Sequence, residues 1–153
     1  MKQHQRVTFS QVNDIFEHSI DYLKHVAAML DDLRTPDLSE RVEMLLTSYE
    51  AEQRSLLGAL ERYVEDADER LLNTYAQYAV ELPSELGGPE APLTTLTLTR
   101  WLQGLNQHLV TLFRELAGTS RSADLRGVFE ALTRQIESHE RKLSKEYQRF
   151  EDL

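Results

Sequence analysis

Two short segments, residues 50–53 and 136–139, have the spacing of a helical metal-ligand pair. A Glu-x-x-His pair places a carboxylate and an imidazole on one face of a helix, where both can bind the same ion. Each segment keeps half of that pair: Glu50 is followed by Gln53 instead of His, and His139 is preceded by Ile136 instead of Glu. The chemistry to consider is metal binding inside a helical protein, with both motifs incomplete.

The composition is that of one globular domain spanning residues 1–153. Hydrophobic residues make up 41% of the 153 residues and charged residues 28%, which is enough apolar material for a real core. The chain has no Cys, which excludes disulfides, zinc-thiolate sites, iron–sulfur clusters and thiol catalysis. No phosphate-binding loop or serine nucleophile motif is present either, and we expect no catalytic residue.

The charge and the apolar pattern restrict the partners. A formal net charge of -9 repels nucleic acid backbones and anionic lipid headgroups, so we expect neither nucleic acid nor membrane as a partner. The polar N-terminal residues do not resemble a signal segment, and no apolar run approaches the roughly 20 residues that span a bilayer. We therefore expect a cytoplasmic protein.

Apolar residues at helical spacing predict two long helices in the first half of the chain. A capping box formed by Thr8 and Gln11 starts the first helix, which ends at Thr35-Pro36, and a box formed by Asp37 and Glu40 starts the second. The predicted inward residues are Val12, Ile15, Ser19, Leu23, Val26, Leu30 and Leu33 in the first helix, and Val42, Leu45, Leu46, Tyr49, Gln53, Leu56, Leu60 and Val64 in the second.

Residues 67–79 are predicted to form a short extra helix. Asp66 and Glu69 form a third capping box, so a separate helix is favoured over a kinked continuation of the second one. Residues 82–92 contain three Pro and two Gly and form the strongest break in the chain. This break predicts a crossover between two helical hairpins.

Two further helices are predicted after the break. The third begins among residues 94–97 and the fourth near Ser122, and the fourth runs to the end of the chain. The predicted inward residues are Leu98, Trp101, Leu105, Leu109, Leu112 and Leu116 in the third helix, and Leu125, Phe129, Leu132, Ile136, His139, Leu143, Tyr147 and Phe150 in the fourth.

This pattern resembles the ferritin-like superfamily, with the rubrerythrin-type and bacterioferritin-like bundles as its nearest likenesses. The likeness rests on residues 49–53, on residues 129–143 with Tyr147, and on the four helices with a crossover at the midpoint. It implies an all-α, four-helix up-down bundle of two hairpins. In that family two helices each supply a Glu, and the other two each supply a Glu-x-x-His pair, to a di-metal site inside the bundle.

Few of those ligands are predicted to face inward in this chain. The first helix offers Ser19 at the middle of its stripe, and the third offers only apolar residues there, with His108 at the edge. A di-metal pair needs roughly four carboxylates to balance its charge, and about one is available. We therefore expect a bundle that has lost the di-iron site.

Three functional hypotheses follow from these residues. The first is a non-catalytic scaffold or interaction protein without a cofactor, which acts through its surface as a homodimer. In this hypothesis His139 lies in the core and is hydrogen-bonded to Gln53 or Tyr49. The alternative is a metal-binding protein or oxidoreductase with an altered, mononuclear site for iron, manganese or zinc, whose candidate ligands are His139, Glu50, Gln53 and His108. The third is a small-molecule binder that uses the polar pocket around His139.

Overall fold

The computed structural model describes residues 4–67, 75–83 and 87–151. Within these residues the chain forms four long helices: α1 (Val12–Leu33), α2 (Glu40–Asp66), α3 (Thr95–Thr119) and α4 (Ala123–Glu151). The strand β1 (His4–Gln11) precedes α1, and the strand β2 (Tyr75–Pro83) follows α2. The predicted all-α class and the four-helix bundle are confirmed. None of the described helices combines the length and the apolar composition that a membrane crossing requires.

The core is built from the stripes that the sequence predicts. Residues of all four helices, together with Phe9 of β1, form one cluster of buried apolar side chains. Ser19 and Gln53 are buried among them, as the stripes of α1 and α2 predict, and Ile136 is buried at the position of the missing Glu. Burial of these apolar faces, at about 25 cal/mol per Å², is the main contribution to the stability of such a bundle.

Helices α1 and α3 are antiparallel neighbours. His18 of α1 lies beside His108 of α3, and four residues later the Tyr22 hydroxyl donates to the Leu105 carbonyl. Residue numbers therefore increase along α1 while they decrease along α3.

Helices α2 and α4 are antiparallel neighbours in the same way. The Ser48 hydroxyl donates to Glu146, and Glu52, one turn further along α2, lies 2.7 Å from His139. Because α1 is also antiparallel to α2 within its hairpin, α2 and α3 run in the same direction. The connection between them must then return along the length of the bundle, which agrees with two hairpins joined by a crossover.

A layer of aromatic rings closes the end of the bundle where α1 begins. The ring centroid of Phe16 lies 5.0 Å from that of Tyr63 and 6.1 Å from that of Phe129. Phe129 also stacks on Phe113, at 6.1 Å between centroids. All four helices thus contribute one ring, and three of these rings, those of Phe16, Phe113 and Phe129, are fully buried.

The two strands form an antiparallel ribbon, which the sequence analysis did not predict. Gln11 pairs with Tyr75 and His4 pairs with Pro83, with an irregularity between Phe9 and Gln11. The predicted extra helix near 67–79 is therefore wrong over Tyr75–Ala79, where the chain forms β2; residues 68–74 lie outside the described part. Backbone pairing with a distant segment has overridden the local helical pattern there.

Two helix starts differ from the predicted capping boxes, and the third predicted box, Asp66 and Glu69, extends outside the described residues. Thr8 lies in β1, and α1 begins after Gln11, whose backbone N–H donates to the Asp14 carboxylate at 3.0 Å. Ser39, not Asp37, caps α2 by accepting a hydrogen bond from the Val42 backbone N–H. The start of α3 is as predicted, because Thr94 accepts from the Thr97 backbone N–H.

Candidate functional site

Polar side chains from three helices meet inside the bundle at mid-height, and we call this group the Asn106 network. It consists of Tyr49 and Gln53 of α2, Asn106 of α3 and Glu140 of α4. Tyr49 and Gln53 are four residues apart, so one face of α2 presents both to the interior. Tyr49, Gln53 and Asn106 are each at most 7% exposed.

The Asn106 amide joins the members of the network. Its Oδ1 accepts a hydrogen bond of 2.8 Å from the Tyr49 hydroxyl and a longer one of 3.4 Å from Gln53 Nε2. Its Nδ2 donates to Glu140 Oε1 at 2.6 Å. An amide can accept and donate in this way, whereas an ionised carboxylate can only accept. The network therefore suits Asn and would be disrupted by the Glu of a di-metal site.

Burial controls the protonation of this network. Burial raises the pKa of Glu140, and the hydrogen bond from Asn106 partly opposes this effect. Burial also raises the pKa of Tyr49 well above its ordinary value, with smaller contributions from Tyr22 and Glu140. Tyr49 thus stays a neutral hydrogen-bond donor rather than a phenolate ligand.

His139 lies beside the network but bonds outside it. The sequence predicts a hydrogen bond to Gln53 or Tyr49, and this prediction is wrong: Nε2 lies 2.7 Å from Glu52 Oε2. Lys142 Nζ donates to the other oxygen of the same carboxylate at 2.6 Å. Burial lowers the pKa of His139, while Glu52 raises it and Lys142 lowers it. Its buried Nδ1 atom has no hydrogen-bond partner.

His108 belongs to a separate aromatic group on the α1/α3 side. Its Nε2 lies 3.1 Å from Nε2 of His18, and its ring stacks on Tyr22 with centroids 4.1 Å apart. Phe9 of β1 packs edge-on against His18 at 5.4 Å. Burial lowers the pKa of His18, and Asp21 partly opposes this effect. The structure places His18 between Phe9 and His108, half-buried.

The four candidate ligands do not form a shared site. Glu50 binds Arg34, with 3.0 Å between carboxylate and guanidinium, while Gln53, His108 and His139 contact Asn106, His18 and Glu52 respectively. Across the described residues, no three His, Asp or Glu side chains come close enough together to hold a metal ion. The side chains present do not fit a carboxylate-bridged metal pair.

Sequence reasoning missed Tyr22, Asn106 and Glu140. The prediction that α3 offers only apolar residues at its middle is wrong, because Asn106 and His108 are both buried. A signal for Asn106 was available: it follows Leu105 and precedes Leu109, so it borders the predicted stripe. The predicted stripe has about one residue per helical turn, whereas the face of α3 that the core buries is wider and includes Asn106.

No family model, curated protein or solved structure matches this chain. The ferritin-like resemblance therefore stays a prediction that rests on the residues and the helix arrangement described above.

Proposed function

We propose that this chain is a metal-free bundle of the ferritin-like type that serves as an interaction module. The observation that carries the proposal is the Asn106 network. A neutral amide occupies the centre of the bundle, and its donor and acceptor groups are both engaged by neighbouring side chains. Such a centre supplies hydrogen bonds that fix the helix register, but not the anionic oxygens that two divalent ions require.

The helix arrangement supports the ferritin-like part of the proposal. Two antiparallel hairpins joined by a connection along the bundle leave α2 and α3 parallel, as the resemblance implies. Ser19, Gln53 and Ile136 fill the interior near the level where the ligands would lie. The fold is kept while the ligand positions have become packing positions.

The surface is where we place the activity of this protein. We propose that it forms a homodimer in the cytoplasm and binds another protein. A protein is the favoured partner because the net charge of -9 disfavours nucleic acid and anionic membranes. Tyr63 packs against Phe16 and takes part in the aromatic layer.

Metal content tests the proposal directly. Tag-free protein is incubated with ferrous iron, manganese or zinc, desalted, and analysed by mass spectrometry. We expect fewer than about one tenth of an ion per chain. About one ion per chain, lost in His139→Ala but kept in His25→Ala, would instead establish the mononuclear alternative, because His25 is exposed and serves as the matched control. Two ions would refute the assignment of the inward faces.

A further inference from the structure

An open groove of about 500 Å³ lies between the first half of α2 and the end of α4. Its walls include Glu40, Glu43 and Met44 of α2 and Glu146 and Arg149 of α4. We call it the α2/α4 groove. It is far from the aromatic layer, and it takes no part in the Asn106 network.

Met44 gives this groove an apolar anchor point. Among the large apolar side chains of the described residues, only Met44 and Leu96 are exposed, at 45% and 39%. The unbranched, polarisable Met side chain adapts to different partner shapes and is enriched at protein interfaces. An exposed Met in a groove between two helices is the feature that a helix-in-groove interaction uses.

The charges around Met44 determine which charge a partner must carry. Three carboxylates, those of Glu40, Glu43 and Glu146, line the groove with one guanidinium, that of Arg149. Arg34 approaches Glu43 only to 3.8 Å, and Glu43 stays 61% exposed. The groove is therefore net negative, and a partner that buries Met44 must bring positive charge beside an apolar side chain.

We propose that the α2/α4 groove binds a basic amphipathic helix of another protein. The inference rests on the proposed function, since it names the surface and the partner chemistry of that interaction module. A second copy of this chain is a poor occupant, because a two-fold contact through this groove would bring two net-negative surfaces together. The homodimer must then use a different face.

A model peptide tests the proposal. The probe is an amphipathic helix of about five turns built from Leu and Lys, and its control carries Glu in place of Lys. Binding is followed by NMR of the methionine methyl groups, of which the chain has three, so that Met44 reports on the groove. We expect the basic peptide to shift the Met44 signal and the acidic peptide to leave it unchanged.

Two matched pairs of variants locate the contact. Glu40→Gln with Glu43→Gln removes groove charges, and Glu61→Gln with Glu65→Gln removes exposed charges near the other end of the same helix. Met44→Gln and Leu96→Gln are paired in the same way inside and outside the groove. We expect each groove variant to weaken the affinity about tenfold and each control to change it less than about twofold.

Each result decides one way. Equal weakening by the two charge pairs, or by Met44→Gln and Leu96→Gln, would show general attraction to an acidic protein and overturn the proposal. An unchanged Met44 signal would overturn it as well. Neither result bears on metal content, so the groove proposal and the proposed function fail separately.

Discussion

The Asn106 network can be tested by changing one atom. Asn106→Asp keeps the shape of the side chain and the acceptor for Tyr49, but it replaces the donor to Glu140 by a second carboxylate oxygen. That oxygen would lie about where Nδ2 lies now, 2.6 Å from Glu140 Oε1. Two ionised carboxylates cannot occupy these positions together, so the folded pair must hold a proton.

The expected loss of stability follows from the repulsion between the two carboxylates. Two unit charges about 4 Å apart interact by about 4 kcal/mol at an effective dielectric constant near 20. Glu140 is only partly buried and water screens it, so we expect a loss of about 2 to 3 kcal/mol at neutral pH. The folded pair holds a proton that the unfolded chain releases above a pH of about 4, so the loss grows as pH rises, by up to about 1.4 kcal/mol per unit.

Urea denaturation followed by circular dichroism between pH 5 and pH 7.5 measures this loss. Adding Glu140→Gln to Asn106→Asp exchanges the donor and the acceptor between the two helices, and we expect most of the lost free energy of unfolding to return. A single variant within about 0.5 kcal/mol of the native protein at pH 7, or a double variant no more stable than the single one, would refute the role given to this hydrogen bond.

Three further predictions concern the histidines and the aromatic layer. His139→Leu should leave the free energy of unfolding unchanged or raise it by up to about 1 kcal/mol. The reason is that Nδ1 of His139 has no hydrogen-bond partner, and Glu52 still accepts the hydrogen bond from Lys142. A collapse of folding in chemical denaturation would contradict this. The native protein should lose stability as pH falls below 6.5, because burial lowers the pKa of His18 and His139 and the unfolded chain therefore takes up protons first. Denaturation between pH 5 and 7 measures this dependence. It should weaken in His139→Leu but not in His25→Leu. Phe129→Ala should cost about 3 to 5 kcal/mol by thermal or chemical denaturation, because the ring is fully buried; a loss below about 1 kcal/mol would show that the layer is not packed as described.

The helices could be predicted from the sequence because their signals are local. Apolar spacing identified the buried stripes of all four helices, and α3 begins within the range of residues 94–97 that the sequence predicts. The ribbon could not be found in this way. The partner of β1 lies beyond both α1 and α2, so no local pattern in the sequence identifies it.

The candidate site was predicted only in part. Gln53 was expected inside, and it is, because its position in the stripe of α2 determines its burial. The partners of His139 and Glu50 depend on how neighbouring helices are rotated. Tyr49 and Glu52 lie about 60° apart around α2, so a rotation of that size decides which of them faces His139. Single-helix patterns do not contain that rotation.

The ribbon also determines an order of assembly. β1 is the first described segment of the chain, yet its pairing partner β2 follows two complete helices, so the ribbon cannot form while only the first hairpin exists. During synthesis on a ribosome, β1 would wait with free backbone N–H and C=O groups until the connection emerges. Closing so long a loop carries an entropic penalty that the helical hairpins do not carry. We therefore expect the two hairpins to form early and the ribbon to join the start of the chain to its middle as a late step.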